Sequence, residues 1–119
     1  MCIRDRIKTI NEYGGKIKET YGVPVSEIQE GIKHGVRKVN VDTDLRLAAT
    51  AAVRKYFHEN PSQFDPRKYL LLSKDAMKEV VKSRLEEFGT AGNASSINSI
   101  SLGEMATRYK SGEFKAVIN

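Results

Sequence analysis

Three polar side chains alternate with apolar ones at the end of a short run of β-branched residues, where they could surround a ligand. The run VRKVNV occupies residues 36–41 and leads directly into Asp42. Because successive side chains of a strand point to opposite faces, Lys38, Asn40 and Asp42 would share one face. Strands of parallel sheets are usually apolar on both faces. The polar face therefore indicates a place where ligand atoms replace core packing.

The next residues, DTD at positions 42–44, have the composition of a helix N-terminus. Backbone N–H groups and the helix dipole at such a terminus favour a bound anion such as phosphate. Asp and Thr are also common helix caps, so Asp42 and Thr43 could do no more than cap the helix. The residues alone leave both interpretations open.

The other side chains that could bind a metal are too few to form a site. His34 and His58 are the only histidines, and Cys2 is the only cysteine. A zinc site needs three or four ligands held together, so we assign no metal ligand in this sequence. We expect both histidines to have structural roles.

The elements around the polar segment alternate between helix and strand. Apolar periodicity and capping residues predict helices over 26–34, from the caps at 42–44 to 60, over 66–88 with a break near Ser73, and over 101–112. The predicted capping residues are Ser26 and Gly35 for the first helix, Asp65 followed by Pro66 for the third, and the capping box of Ser101 and Glu104 for the last, in which Leu102 and Tyr109 would face inward. Residues 36–41 form the single predicted strand. A lone strand would leave its backbone N–H and C=O groups unpaired, so we interpret the chain as a piece of a larger parallel-sheet protein.

Composition and charge argue against several classes of protein. The chain has 119 residues, of which 39% are hydrophobic and 29% charged, as in ordinary globular proteins. Its net charge of +5 comes from basic residues interspersed with acidic ones, so we expect no nucleic-acid partner. No apolar run approaches the ~18 residues of a membrane span, and the start lacks the apolar core of a signal peptide. We expect a cytoplasmic protein with no membrane contact.

Three segments resemble the C-terminal third of class II, zinc-dependent fructose-bisphosphate aldolases. They are ETYGVPVSEIQEGIKHGVRKVNVDTDLRL at 19–47, FDPRKYL at 64–70 and EFGTAGNASSINSISLGEMATRYKSGE at 87–113. The resemblance implies an α/β fold, namely the last strand and helix of a (β/α)8 TIM barrel followed by a helical C-terminal extension. As a fragment, such a piece would be mostly helical. Residues 7–119 would form this partial barrel domain, whereas residues 1–6 do not resemble the family and are interpreted as a non-native junction.

The resemblance also implies a reaction, the reversible aldol cleavage of fructose 1,6-bisphosphate to dihydroxyacetone phosphate and glyceraldehyde 3-phosphate. In this family a Zn²⁺ ion polarises the ketose carbonyl. The family's zinc ligands and catalytic aspartate lie upstream of the matched segments. We therefore expect Zn²⁺ in the parent enzyme, with no ligand in this chain, and no activity from the chain alone.

Individual site residues follow from the same resemblance. Asn40 would be the catalytic residue and would hydrogen-bond the reacting part of the substrate, and Asp42 would contact substrate hydroxyls. The backbone from Val41 onward would bind one phosphate together with Thr43. Arg67, in the DPR sequence, would reach the other phosphate across a dimer, because a guanidinium matches the geometry of phosphate oxygens. The implied partners are a sugar bisphosphate and further copies of the chain in a homodimer or larger homo-oligomer.

Two alternatives remain beside this interpretation. A lysine inside a barrel can form a Schiff base with a ketose, but the metal-dependent family favours Lys38 as a polar partner inside the fold. The other alternative is a small basic helical module that binds a partner without catalysis. The choice among fructose, sedoheptulose and tagatose bisphosphates is not decided by these residues.

Overall fold

The computed structural model describes residues 3–115, and the regular secondary structure in that range is entirely helical. The elements are α1 (Ile3–Glu12), α2 (Val25–Lys33), α3 (Thr43–Glu59), α4 (Pro66–Glu87) and α5 (Leu102–Lys110), with a short 3-10 turn at Ala94–Ser96. The expectation of a mostly helical piece is confirmed. α1 includes residues 7–12, to which the sequence pattern assigned no element.

Helix α3 is the centre of the packing, with α1 and α4 both packed against it. Ile7 and Ile10 of α1 meet Leu47 and Ala51 of α3 in the core, and the Ile10 side chain is completely buried. Complete burial of one such side chain stabilises a fold by about 1.5–3 kcal/mol. The start of α3, where the polar segment ends, is therefore attached to a packed unit.

The strand predicted at 36–41 is not formed, and that prediction is wrong for this chain by itself. The segment begins after the C-terminal turn of α2, where Gly35 has φ 104°, and it continues without regular structure to Asp42. A strand forms by pairing its backbone with a neighbour, and residues 3–115 offer no other strand. The β-branched residues favour extended backbone but cannot supply that partner.

The predicted helices are present, with two corrections. Helix α4 is continuous, so the break predicted near Ser73 is wrong; residues 67–87 contain neither proline nor glycine, and Ser73 is buried inside the helix. Helix α2 starts one residue early, and its N-cap is Pro24 rather than Ser26. The Pro24 carbonyl accepts a hydrogen bond from the Glu27 backbone N–H at 3.1 Å.

The start of α4 agrees with its prediction. The Asp65 carboxylate accepts a hydrogen bond from the Arg67 backbone N–H at 3.0 Å, and Pro66 occupies the first helical position. At α5, Ser101 accepts a hydrogen bond from the Glu104 backbone N–H at 3.2 Å, so the Ser101 half of the predicted capping box is present. The sequence therefore specifies these helix starts locally.

The C-terminal part of the chain leaves much apolar surface uncovered. Leu102 and Tyr109 of α5, expected to face inward, are 91% and 67% exposed. The radius of gyration is 19.9 Å, compared with about 13.5 Å for a compact domain of this length. These residues have no core to enter within 3–115. The boundaries proposed for the junction at 1–6 and the domain at 7–119 extend outside the described residues and stay predictions.

Candidate functional site

The predicted substrate segment lines a cleft of about 590 Å³. The cleft is lined by residues 19–25, which lead into and begin α2, and by residues 39–44, which lead into and begin α3. Asn40, Val41, Asp42 and Thr43 all line it, so the structure brings four of the five predicted site residues together. The strand predicted at 36–41 is absent. These residues still lie side by side, because they are consecutive in the chain and lead directly into α3.

Backbone N–H groups at the start of α3 have no acceptor within the described residues. The N–H groups of residues 41–44 donate no hydrogen bond there, whereas those of Leu45 and Arg46 bond to the Asp42 carbonyl at 3.0 and 3.1 Å. Asp42 is the N-cap residue, yet its carboxylate makes no capping bond and instead accepts from Arg46 Nε at 2.8 Å. Asp42 therefore occupies the predicted N-cap position, but its side chain does not cap the helix. Consecutive N–H groups at a helix start, lining a cleft, are suited to an anion.

Asn40 is oriented by Lys38. The Lys38 ammonium donates to Asn40 Oδ1 at 2.6 Å. Because an ammonium can only donate, the oxygen of the amide must be the atom that faces it. The Asn40 amide nitrogen is then left to donate to another group in the cleft. The contact agrees with Lys38 as a polar partner, but Lys38 is exposed, so its predicted position inside the fold is wrong for this chain by itself.

Arg67 lies apart from the cleft, at the start of α4. Its Nε and Nη2 donate to the Asp65 carboxylate, at 3.0 Å to Oδ1 and 2.7 Å to Oδ2, while its side chain is 89% exposed. The hydrogen bonds from Arg67 lower the pKa of the Asp65 carboxyl. Helix α3, of 17 residues and roughly 25 Å, separates this end of the helix pair from the end that bears the cleft.

Sequence reasoning missed an ion-pair network beside the cleft. The Asp44 carboxylate binds Arg6 Nη1 through Oδ1 at 3.2 Å and Arg84 Nη2 through Oδ2 at 2.7 Å. Arg84 also pairs with Glu87. Asp44 and Arg84 are 40 residues apart, and Asp44 had been interpreted only as a member of the capping sequence. In the sequence, the one feature that points to this network is Asp44 itself, the second Asp of DTD. It does not show that Arg84 is its partner.

No metal centre can be built from the described residues. Residues 3–115 contain no group of three or more His, Cys, Asp or Glu side chains arranged to hold a metal ion. His34 is exposed, and its Nε2 lies 3.0 Å from Glu30 Oε1. The His58 ring lies beside the Tyr13 ring, with centroids 5.1 Å apart and the ring planes tilted by 56°. Cys2 lies outside the described residues. The donor side chains within residues 3–115 do not form a zinc site. The chemistry proposed for this chain's own residues therefore includes no step on a bound zinc ion.

Comparison with known proteins identifies the family. The model of the family described as fructose-bisphosphate aldolase class-II matches residues 6–93, well over half of the chain. The chain belongs to the class-II fructose-bisphosphate aldolase family.

Relatives within this family are similar to almost the whole chain. A fructose-bisphosphate aldolase of Pseudomonas aeruginosa is 60% identical over 116 residues, which is 98% of this chain and 33% of that relative. One of Stutzerimonas stutzeri is 62% identical over 113 residues, covering 95% of the chain and 32% of the relative. One of Xanthobacter flavus is 54% identical over 116 residues, covering 98% and 33%. The chain thus spans about a third of the length of the curated relatives it matches.

Membership of the aldolase family bears on the two alternatives. The similarity extends over nearly the whole chain and gives no support to a separate interaction module. The family is the class-II family, in agreement with Lys38 as a structural partner of Asn40 rather than a Schiff-base residue. Within residues 3–115, no helix is long and apolar enough to cross a membrane.

Proposed function

We propose that this chain is the C-terminal part of a class II aldolase that reversibly cleaves fructose 1,6-bisphosphate to dihydroxyacetone phosphate and glyceraldehyde 3-phosphate. Its own share of the chemistry is to bind the phosphate of the ketose half and to orient the reacting carbons. The observation that supports this is the set of N–H groups of residues 41–44, without acceptors in the described residues, in the same cleft as Asn40.

The phosphate would be held at the start of α3. Backbone N–H groups there are fixed donors, and the helix dipole adds positive potential, so both favour a phosphate dianion. The Thr43 hydroxyl is exposed and has no hydrogen-bond partner within residues 3–115, so it can donate to the same phosphate. Val41 takes part through its backbone alone, which requires no particular side chain.

Asn40 would act on the reacting carbons. Cleavage breaks the bond between C3 and C4, and the electron pair moves toward the oxygen of the ketose carbonyl as C4 becomes an aldehyde. The Asn40 amide N–H, left available by the Lys38 contact, would donate to the oxygen that gains charge. Asp42 would accept a hydrogen bond from a substrate hydroxyl. The base that removes the C4 hydroxyl proton and the acid that protonates C3 would come from outside this chain.

The remaining parts of the enzyme are proposed from the family. Residues outside this chain would hold the Zn²⁺ ion, which polarises the ketose carbonyl when bound. Neighbouring strands would pair with residues 36–41 and turn them into the last strand of the barrel.

Arg67, exposed and remote from its own cleft, would bind the second phosphate in the site of a partner subunit within a homodimer or larger oligomer. A cytoplasmic location is proposed, where such sugar phosphates are made and used.

A hybrid protein tests the proposal. This chain would replace the matching third of the Pseudomonas aeruginosa relative, with which it shares 60% identity over 116 residues. With zinc present, we expect the hybrid to cleave fructose 1,6-bisphosphate at a rate within about tenfold of the intact relative, while the 119-residue chain alone has no activity. Chelator should abolish the activity of the hybrid, and borohydride should not trap an adduct.

Two outcomes would contradict the proposal. A folded hybrid that leaves the bisphosphate uncleaved, beside an active intact relative, would show that this chain does not supply the site. Cleavage by the 119-residue chain alone would show that it contains a complete catalytic set.

A further inference from the structure

The carboxylate of Asp44, a residue that lines the cleft, is paired with guanidinium groups on two other helices. Asp44 is the second residue of α3, next to Thr43, and its side chain is 9% exposed. Oδ1 accepts from Arg6 Nη1 at 3.2 Å, while Oδ2 accepts from Arg84 Nη2 and Nε at 2.7 and 3.1 Å. Both oxygens are therefore engaged by cationic donors.

Arg84 connects this carboxylate to the far end of α4. Its side chain is 17% exposed and also binds Glu87, so it bridges the first turn of α3 and the last turn of α4. Partial burial opposes the charge on Arg84, but the hydrogen bonds with Asp44 and Glu87 outweigh it and raise the pKa of the guanidinium. Arg84 stays cationic at any physiological pH.

The charge of Asp44 poses a problem for a phosphate site. A carboxylate in the first turn stabilises its helix, but beside the N–H groups of residues 41–43 it would repel a phosphate dianion. Asp44 and Arg84 both line the cleft in which these N–H groups lie. The arginine contacts offset the negative charge of the carboxylate and connect the first turn of α3 to α1 and α4.

We propose that Arg84 is a positioning residue for substrate phosphate: it neutralises and anchors Asp44 so that the first turn of α3 presents a net positive site to the anion. The inference rests on the proposed function, because it assumes a phosphate at this turn. Arg84 acts through Asp44 and does not itself bind the phosphate.

The test uses the hybrid protein and three substitutions. Arg84→Gln leaves Asp44 short of one cation and should raise the KM for fructose 1,6-bisphosphate and the Kd for inorganic phosphate by about tenfold, with kcat within about twofold. Asp44→Asn on top of Arg84→Gln removes the carboxylate that is left with Arg6 as its one cationic partner and should recover most of that loss. Glu87→Gln removes the other carboxylate bound to Arg84 and is the matched control, with an expected change of less than about twofold.

The recovery in the double variant separates the possible roles of Arg84. A residue that binds phosphate directly would leave the full loss in the double variant, and a residue needed only for folding would lower the melting temperature without recovery of phosphate affinity. Either result overturns the proposal, as does a normal Kd in Arg84→Gln. Should Arg84→Gln alone fail to fold, the double variant with Asp44→Asn, which has no carboxylate left to neutralise, should bind phosphate within about threefold of the unsubstituted hybrid, and a larger loss counts against the proposal.

Failure of this inference is distinguishable from failure of the proposed function. An unsubstituted hybrid that neither binds phosphate nor cleaves the bisphosphate removes both. If the hybrid is active and its Kd for phosphate is the same with and without Arg84→Gln, this inference is wrong while the proposed function stands.

Discussion

The two ends of the α3–α4 pair are built in opposite ways. At one end, the first turn of α3 lines a cleft and is fastened to α4 through the buried contact between Asp44 and Arg84. At the other end, the first turn of α4 carries Arg67, whose guanidinium is almost fully exposed and paired with a residue only two positions away. The contact at the first end joins two residues 40 positions apart in the chain, whereas the contact at the second end joins near neighbours.

The difference indicates which end works within its own subunit. At the cleft end the first turn of α3 is fixed against α4 by helix packing, as a site that orients reacting atoms requires. Arg67 does not line the cleft that contains Asn40, and its local contact with Asp65 leaves its side chain 89% exposed. Such an end is suited to a ligand carried by a different molecule, here the partner subunit of the proposed oligomer.

The largest expected effect is at the cleft end, on substitution of Asn40. In the hybrid protein, Asn40→Ala should lower kcat by about 100- to 1000-fold, because it removes a donor to the oxygen that gains charge. Steady-state kinetics with fructose 1,6-bisphosphate measure this loss. Asn98→Ala, an exposed asparagine in the loop before α5, is the matched control and should change kcat less than about twofold. An Asn40→Ala hybrid with normal kcat would remove Asn40 from the catalytic role.

Substitution of Arg67 should have the next largest effect. Arg67→Ala in the hybrid should lower kcat/KM by about 10- to 100-fold, mainly through KM, because a charged hydrogen-bond donor to phosphate is lost. Steady-state kinetics with the bisphosphate measure it. Arg54→Ala, an exposed arginine on α3, serves as the control.

Mixed subunits show whether Arg67 acts across the interface. Arg67→Ala and Asn40→Ala subunits of the hybrid protein are unfolded together and reassembled. A dimer with one subunit of each kind regains one intact site only if Arg67 binds substrate in the site of the partner subunit. Activity should then return to about a quarter of the unsubstituted level for random pairing into dimers. If activity does not return on mixing, Arg67 acts in the site of its own subunit, and the two ends of the α3–α4 pair do not differ in the way proposed.

Local features of the fold could be predicted from the sequence because short-range chemistry determines them. Asp65 and Pro66 specify the start of α4, and Gly35 ends α2 with a positive φ that other residues rarely adopt. The grouping of Asn40 with Thr43 also followed from sequence, since four consecutive residues must lie together. These predictions needed no knowledge of the rest of the chain.

Features that depend on distant residues could not be predicted in the same way. The β-branched run at 36–41 reads as a strand, but a strand exists only beside another one. The pairing of Asp44 with Arg84 depends on how α3 and α4 pack, and residue types alone do not show which arginine reaches the carboxylate. Leu102 and Tyr109 have the spacing of a buried face, but no surface within residues 3–115 covers them.

A smaller effect is expected at Lys38, which contacts the Asn40 amide that is proposed to be catalytic. Lys38→Met in the hybrid keeps the apolar stem and removes the donor to Asn40 Oδ1. The amide can then rotate, and kcat should fall by about 5- to 10-fold with little change in KM. Lys38→Arg keeps a cationic donor and should recover part of the loss, which a role in folding alone would not predict. Complete loss of activity with an adduct trapped by borohydride in the unsubstituted hybrid would instead indicate Schiff-base chemistry.

The smallest effect is expected at Asp65, at the Arg67 end. Hydrogen bonds from the Arg67 side chain and backbone hold the Asp65 pKa below its ordinary value of 3.8. Because the folded pKa is the lower one, the contribution of this carboxylate to the start of α4 is complete above pH 3.8 and is lost as pH falls through the folded pKa. Carbon NMR of the Asp65 carboxyl should give a midpoint below 3.8, which Arg67→Gln moves upward toward it. An unmoved midpoint would mean that Asp65 does not hold Arg67 in the free protein, and the exposed guanidinium would then have to be ordered by the partner subunit and its bound phosphate.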